Sequence, residues 1–134
     1  MQHISKNDTK PEFQALDAST FASVMGQAVW LMTMSKAHRD LPIHAIEKRV
    51  APAIFLKQFK LYSKGKQPIA FLTWASVSPA ISNEIEGGRV EFDLADWRSG
   101  KEIKVIDCVA PFNPSETFIE KFLSDVKIAH EKVE

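Results

Sequence analysis

The sequence predicts an α/β or α+β domain, with helices flanking a mixed sheet. Three observations carry that expectation. Apolar residues recur at helical spacing near both ends of the chain, and the middle reads as strands joined by short turns. Glycine and proline fall where one element should stop and the next begin. With 134 residues, 45% of them hydrophobic and 25% charged, the chain has the size and composition of one domain with one core.

Residues 1–18 are polar and irregular and read as a flexible N-terminal arm, leaving 19–134 as the domain. A helix is expected from Ser19 or Thr20 to about Met34. Phe21, Val24, Ala28, Leu31 and Met32 share its face, and Ser19 is its cap. Gly26 weakens such a helix, so a close neighbour is expected to need the room. The polar break Ser35–Leu41 ends at Pro42, which suits the first turn of a second helix. That helix would turn Ile43, Ile46 and Val50 inward and be kinked or ended by Pro52.

Strands follow at Phe59–Ser63 and Pro68–Val77, around a turn at Lys64–Gln67. In the second, Ile69, Phe71, Thr73 and Ala75 face one way and Ala70, Leu72 and Trp74 the other. Both faces are mostly apolar, so this strand should be central and covered on both sides. Ser78-Pro79 opens a short helix that stops at Gly87-Gly88. Asp96–Gly100 makes a turn before a strand at Glu102–Val109. Asn113, Pro114 and Glu116 have the logic of a helix start, with Asn113 as cap and Pro114 first; Phe118, Ile119, Phe122 and Val126 of that helix face inward.

Composition narrows the function. Seventeen basic residues balance seventeen acidic ones, so no basic surplus points to a nucleic-acid binder. A single cysteine, Cys108, gives neither an internal disulfide nor a metal cluster. Met1–Lys10 lacks the apolar run of a signal peptide, and no stretch is apolar for long enough to span a bilayer. A cytoplasmic protein that is not transmembrane is the expectation. The three tryptophans, Trp30, Trp74 and Trp97, read as packing residues. Lys57, Lys60, Lys64 and Lys66 read as a solvated strand edge before a basic docking face.

Two ionisable residues stand out. Asp107 lies within the apolar run Val105–Val109, where a carboxylate is expensive to bury unless paired or hydrogen-bonded. It either bonds backbone amides at the sheet end or has a functional partner. His38 follows a helix end, beside Ser35 and Arg39, where a histidine can simply satisfy carbonyls and the helix dipole. Cys108 in a strand is a poor nucleophile. His3, His44 and His130 are assigned no role.

Five fragments, in order, carry a resemblance that spacing does not. Gly26–Leu31 with Ser35–Arg39 and Pro42, then Ala51–Ile54, Pro68–Phe71 with Trp74-Ala75, Asp96–Gly100 and Ile106–Phe112 resemble the RTX toxin-activating lysine acyltransferases over roughly Ser23 to Phe112. The resemblance implies a compact N-acetyltransferase-like fold and a single acyltransferase-like domain. It implies transfer of a fatty acyl group from acyl carrier protein, where it is a phosphopantetheine thioester, to internal lysines of an RTX protoxin, which is thereby activated. Acyl carrier protein is then a co-substrate, with no bound cofactor and no metal. The catalytic histidine and aspartate of the family fall on His38 and Asp107, and its serine on Ser35 as a weaker candidate. An imidazole, with an ordinary pKa of about 6.5, can accept the proton a lysine must lose.

Also by analogy, the strand carrying Asp107 would splay from its neighbour, and Val109, Ala110 and Asn113 would line the donor cleft. Arg39, Arg98 or Lys101 would supply a basic rim for the acidic carrier. Against the family pattern, Asn113-Pro114 replaces a glycine, and the chain is C-terminally short, which would leave a sheet edge open unless a homodimer covered it. Two rivals remain. An acetyl-CoA-dependent N-acetyltransferase would need a glycine-rich pyrophosphate loop, which the sequence lacks. A non-catalytic module binding protoxin or acyl carrier protein would not need both His38 and Asp107.

Overall fold

The longest strand organises the chain. In the computed structural model, which describes residues 16–133, β2 (Gln67–Val77) lies between β1 (Phe59–Lys64) and β3 (Glu102–Val109), antiparallel to both. Ala70 to Thr73 are buried one after another, as a strand covered on both faces requires. Side chains alternate between those faces. Phe71 packs with Val24, Ala28, Leu31 and Met32 of α1 (Ala18–Thr33). Trp74 meets Phe122 of α5 (Ser115–Val133), with ring centroids 5.9 Å apart. Tyr62 and Phe118 extend that second contact at 5.2 Å.

A second apolar cluster closes the far end of the sheet, where Ala75 and Val77 meet Ala53, Leu56, Phe92 and Trp97. Arg98 ties this end together, donating to the Gln58 side chain at 2.8 Å and the Leu56 carbonyl at 2.9 Å. The expected short helix is α4 (Pro79–Glu86), whose first turn is capped by Ser78 and which ends at Gly87. Helices on an antiparallel sheet make this an α+β fold. The parallel pairing seen is one bridge, Ser76 to Arg98.

Local structure departs from the sequence reading in identifiable ways. Asp17, not Ser19, caps α1, its carboxylate accepting from the Thr20 amide at 2.7 Å. A carboxylate suits the positive end of a helix better than a hydroxyl. Leu16 packs on the core, so ordered structure begins inside the expected arm; residues 1–15 of that arm lie outside the described residues. The expected second helix is two: α2 (Ile43–Arg49), preceded by Pro42, and α3 (Ala51–Phe55), with Pro52 in its first turn. A proline is tolerated there because its missing N–H has no helical partner. Ile43 is 84% exposed, not inward.

Gly26 has no neighbour that needs its space, since an added Cβ would meet nothing within 4 Å. Trp30 is 44% exposed and leans on Phe112, so the packing role holds for Trp74 and Trp97 only. Helix α5 opens at Ser115, and the Pro114 carbonyl accepts from the Thr117 amide, so Pro114 flanks the helix instead of entering it.

One irregularity positions the site. Thr73 pairs with Asp107, but the next residue, Trp74, pairs with Val105, leaving Ile106 as a bulge. Without it Val105 and Asp107 would share a face. With it, Asp107 joins Thr73 on the side that α1 covers, while Val105 turns away with Trp74.

Gly100 shows how closely the far end is packed. A Cβ there would lie 2.5 Å from the Val77 carbonyl oxygen and 2.6 Å from the Ser78 backbone. Backbone cannot rotate aside as a side chain can. Gly100→Ala is therefore expected to destabilise the fold by about 1–3 kcal/mol, read as a lower midpoint in urea. An unchanged midpoint would show that the 98–101 turn yields.

Candidate active site

The chain reverses sharply after α1. Ser35 N–H donates to the Met32 carbonyl, and the His38 and Arg39 amides return to the Ser35 carbonyl at 3.0 and 2.8 Å. This tight turn lays the His38 ring back over Ser35. Ser35 Oγ lies 2.6 Å from His38 Nδ1, and the ring is only 7% exposed.

The other ring nitrogen reaches across to β3. His38 Nε2 is 3.0 Å from both carboxylate oxygens of Asp107, which lies 69 positions away in sequence. An ionised carboxylate only accepts, so Nε2 carries the proton and donates it to Asp107. In the neutral ring Nδ1 is then an acceptor, and the Ser35 hydroxyl donates to it. The three side chains form one directed path from hydroxyl to imidazole to carboxylate.

Two further groups hold Asp107. The Cys108 amide donates to Oδ1 at 2.8 Å, and Arg49, in the last turn of α2, donates from Nη2 to Oδ2 at 3.3 Å. Burial pushes the Asp107 carboxyl upward. The His38 hydrogen bond and charge, then Arg49 and the Cys108 amide, outweigh burial and hold it below the usual carboxylate range. Thr73, opposite Asp107 on β2, has a buried hydroxyl with no hydrogen-bond partner among the described residues.

Asp107 thus bonds a backbone amide, as one sequence reading expected, and also has the side chains of His38 and Arg49 as partners. Sequence reasoning missed Arg49, although a basic residue closing an amphipathic helix is a signal that was there to read. Cys108 is pushed up to about 11, by burial first and then by the charges of Asp107 and Glu116, which leaves it a poor nucleophile at neutral pH. Among the described residues no group of three or more His, Cys, Asp or Glu side chains is placed to hold a metal ion. No helix among them is long and apolar enough to cross a membrane.

The residues expected at a donor cleft lie beyond Asp107. Val109 is buried in the core, Ala110 is half-buried and Asn113 is exposed. No hydrogen bond joins them to the Ser35–His38–Asp107 path among the described residues. Nor does β3 splay from β2, because pairing continues through Val109 and Phe71. The open edge is the other one, where β3 has no neighbour among the described residues. Of the expected basic rim, Arg39 and Lys101 are exposed, whereas Arg98 is committed to Gln58 and Leu56.

Residues 17–132 match the model of the RTX toxin acyltransferase family. The chain belongs to that family. Individual relatives agree. It is 32% identical over 93 residues to the protein-lysine myristoyltransferase RtxC of Kingella kingae, covering 69% of this chain and 56% of that protein. Against the lysine-acyltransferase RtxC of Vibrio cholerae it is 35% identical over 98 residues, 72% of this chain and 64% of the relative. For the protein-lysine myristoyltransferase HlyC of Escherichia coli the figures are 33% over 91 residues, 66% and 51%. The chain therefore spans between about half and two-thirds of the length of these relatives.

The acid side of stability follows from Asp107. Its carboxyl is lowered in the folded state, so its stabilisation is full above the unfolded value of about 3.9 and is lost as pH falls through the folded value. Urea midpoints of the wild type and Asp107→Asn should therefore differ most near neutrality and converge on acidification below about pH 3.9. A gap that stayed constant with pH would mean the carboxyl is not lowered.

Proposed function

We propose that this protein is a protein-lysine acyltransferase that moves a fatty acyl group from acyl carrier protein to internal lysines of an RTX protoxin. The observation that carries this reading is the hydrogen-bonded path Ser35–His38–Asp107, placed beside an open strand edge in a chain of this family. The named relatives act as lysine acyltransferases, which supplies the acceptor chemistry.

The geometry suits amine attack on a thioester. A lysine is an ammonium at neutral pH and becomes a nucleophile only after it has released one proton to solvent, so it enters the site as the neutral amine. His38 Nδ1 is the free base of the path, and Ser35 Oγ stands in front of it at 2.6 Å. As Nζ bonds to the acyl carbon, its proton passes to Ser35 Oγ while the Ser35 proton passes to His38 Nδ1. The C–S bond then breaks, and the pantetheine thiolate takes the proton from the imidazolium. Asp107 orients the ring through Nε2 and stabilises its charged form. Arg49 keeps Asp107 ionised, so that it accepts from the ring and does not compete for the proton.

An amine can open a thioester without an enzyme nucleophile, so Ser35 acts here as a relay. The same hydrogen bond would also activate Ser35 for direct attack. Mass measurement of the enzyme with acyl donor alone separates the two: no acyl adduct on Ser35 is expected, and an adduct chased off by protoxin would replace the relay with an acyl-enzyme.

The main test is intact-mass analysis of a protoxin fragment incubated with this protein and long-chain acyl carrier protein. Lysine adducts are expected, falling by ~10²-fold or more for His38→Ala and for Asp107→Ala. A folded protein that yields no adduct with donors of several lengths would overturn the transferase reading.

A further inference from the structure

A depression of about 160 Å³ opens directly beside His38, between the last turns of α1 and the start of α2. Apart from His38 itself, its walls are Val29, Met32, Leu41, Ile43 and Ile46, with Thr33 and Arg39 at the rim. Ile43 is the anomaly among them. It is 84% exposed, although the pattern of α2 would turn it inward. An isolated exposed isoleucine is unremarkable, but one on the lip of an apolar pocket that contains the candidate base extends that pocket outward.

Resting on the transferase reading above, we propose that this pocket receives the fatty acyl chain, with Ile43 carrying the chain out over its mouth. Two features choose the acyl chain over the other aliphatic group of the reaction, the stem of the substrate lysine. Arg39 at the rim repels an incoming ammonium, whereas a hydrocarbon chain carries no charge. The walls also lie against the His38 ring, to which Ser35 Oγ is bonded at 2.6 Å, so a chain seated here brings its thioester end toward that relay. The pocket is smaller than the roughly 300–1,000 Å³ that encloses a whole ligand. It therefore holds a segment of the chain, and the remainder runs along exposed Ile43.

A larger groove offers a rival. Ala22, Ser23, Gly26, Gln27, Trp30 and Pro68 line about 380 Å³ along another face of α1. It does not include His38, and Gly26 at its centre has open space above it.

The test compares transfer of myristoyl and octanoyl groups from acyl carrier protein by the wild type, Ile43→Asp, Thr33→Phe and Gly26→Leu. Ile43 and Thr33 are exposed, so neither change threatens the fold. The myristoyl-to-octanoyl rate ratio should fall about tenfold in Ile43→Asp and Thr33→Phe, and stay put in Gly26→Leu. A second readout does not need turnover: myristate bearing a diazirine near its tail, photolysed on the full chain, should label α2 or the 29–33 segment. Ratio changes and labels confined to residues 22–27 and Pro68, with Ile43→Asp unaffected, would overturn the pocket in favour of the larger groove. A wild type that takes the label in the expected place but transfers nothing would keep the pocket and sink the transferase reading.

Discussion

A carboxylate inside a buried strand has to be compensated, and much of this structure can be traced from how Asp107 meets that demand. Its oxygens take a backbone amide from Cys108, a ring N–H from His38 and a guanidinium N–H from Arg49. Those donors come from three separate places: β3 itself, the turn after α1, and the end of α2. Removing any one leaves charge in a poorly solvated setting, which is why the two helices must sit where they do. The same compensation keeps the carboxyl ionised, so a structural necessity and a chemical capacity coincide in one group.

The sheet supplies the rigidity that this arrangement needs. Strand β2 is paired on both sides and covered on both faces, so β3 is anchored through its whole length by a partner that cannot easily move. The bulge at Ile106 then sets which side Asp107 faces. A single extra residue therefore decides whether the carboxylate points at His38 or at the face covered by α5. Bulges beside sites commonly have this re-aiming role, and here its consequence can be stated residue by residue.

Around the site, polarity is distributed unevenly. His38 is nearly buried while Ser35 and Asp107 are half-buried, and an apolar depression reaches the imidazole from between α1 and α2. An imidazole shielded from bulk water but adjoined by an apolar recess suits the acyl transfer proposed above. Low local solvation strengthens the hydrogen bonds that direct the proton.

Sequence alone determined most of the order of elements, the central position of β2 and a class that combines helices with a sheet, because periodicity and breaker residues are local and survive without tertiary context. The apolar run around Asp107 also marked it as a group in need of partners. Resemblance in five short fragments singled out Ser35 and His38, which composition and spacing left ambiguous. Tertiary structure decided the rest. The 69-residue gap between His38 and Asp107 closes only when α1 packs on β3, and the ring's orientation depends on a turn whose bonds are backbone to backbone. Arg49 joins through the break between α2 and α3, which the proline pattern read as one helix kinked or ended at Pro52. Ile43 faced outward against its own helical pattern. Periodicity reports which residues are apolar, whereas a helix this short takes its orientation from its neighbours, and those neighbours are distant in sequence.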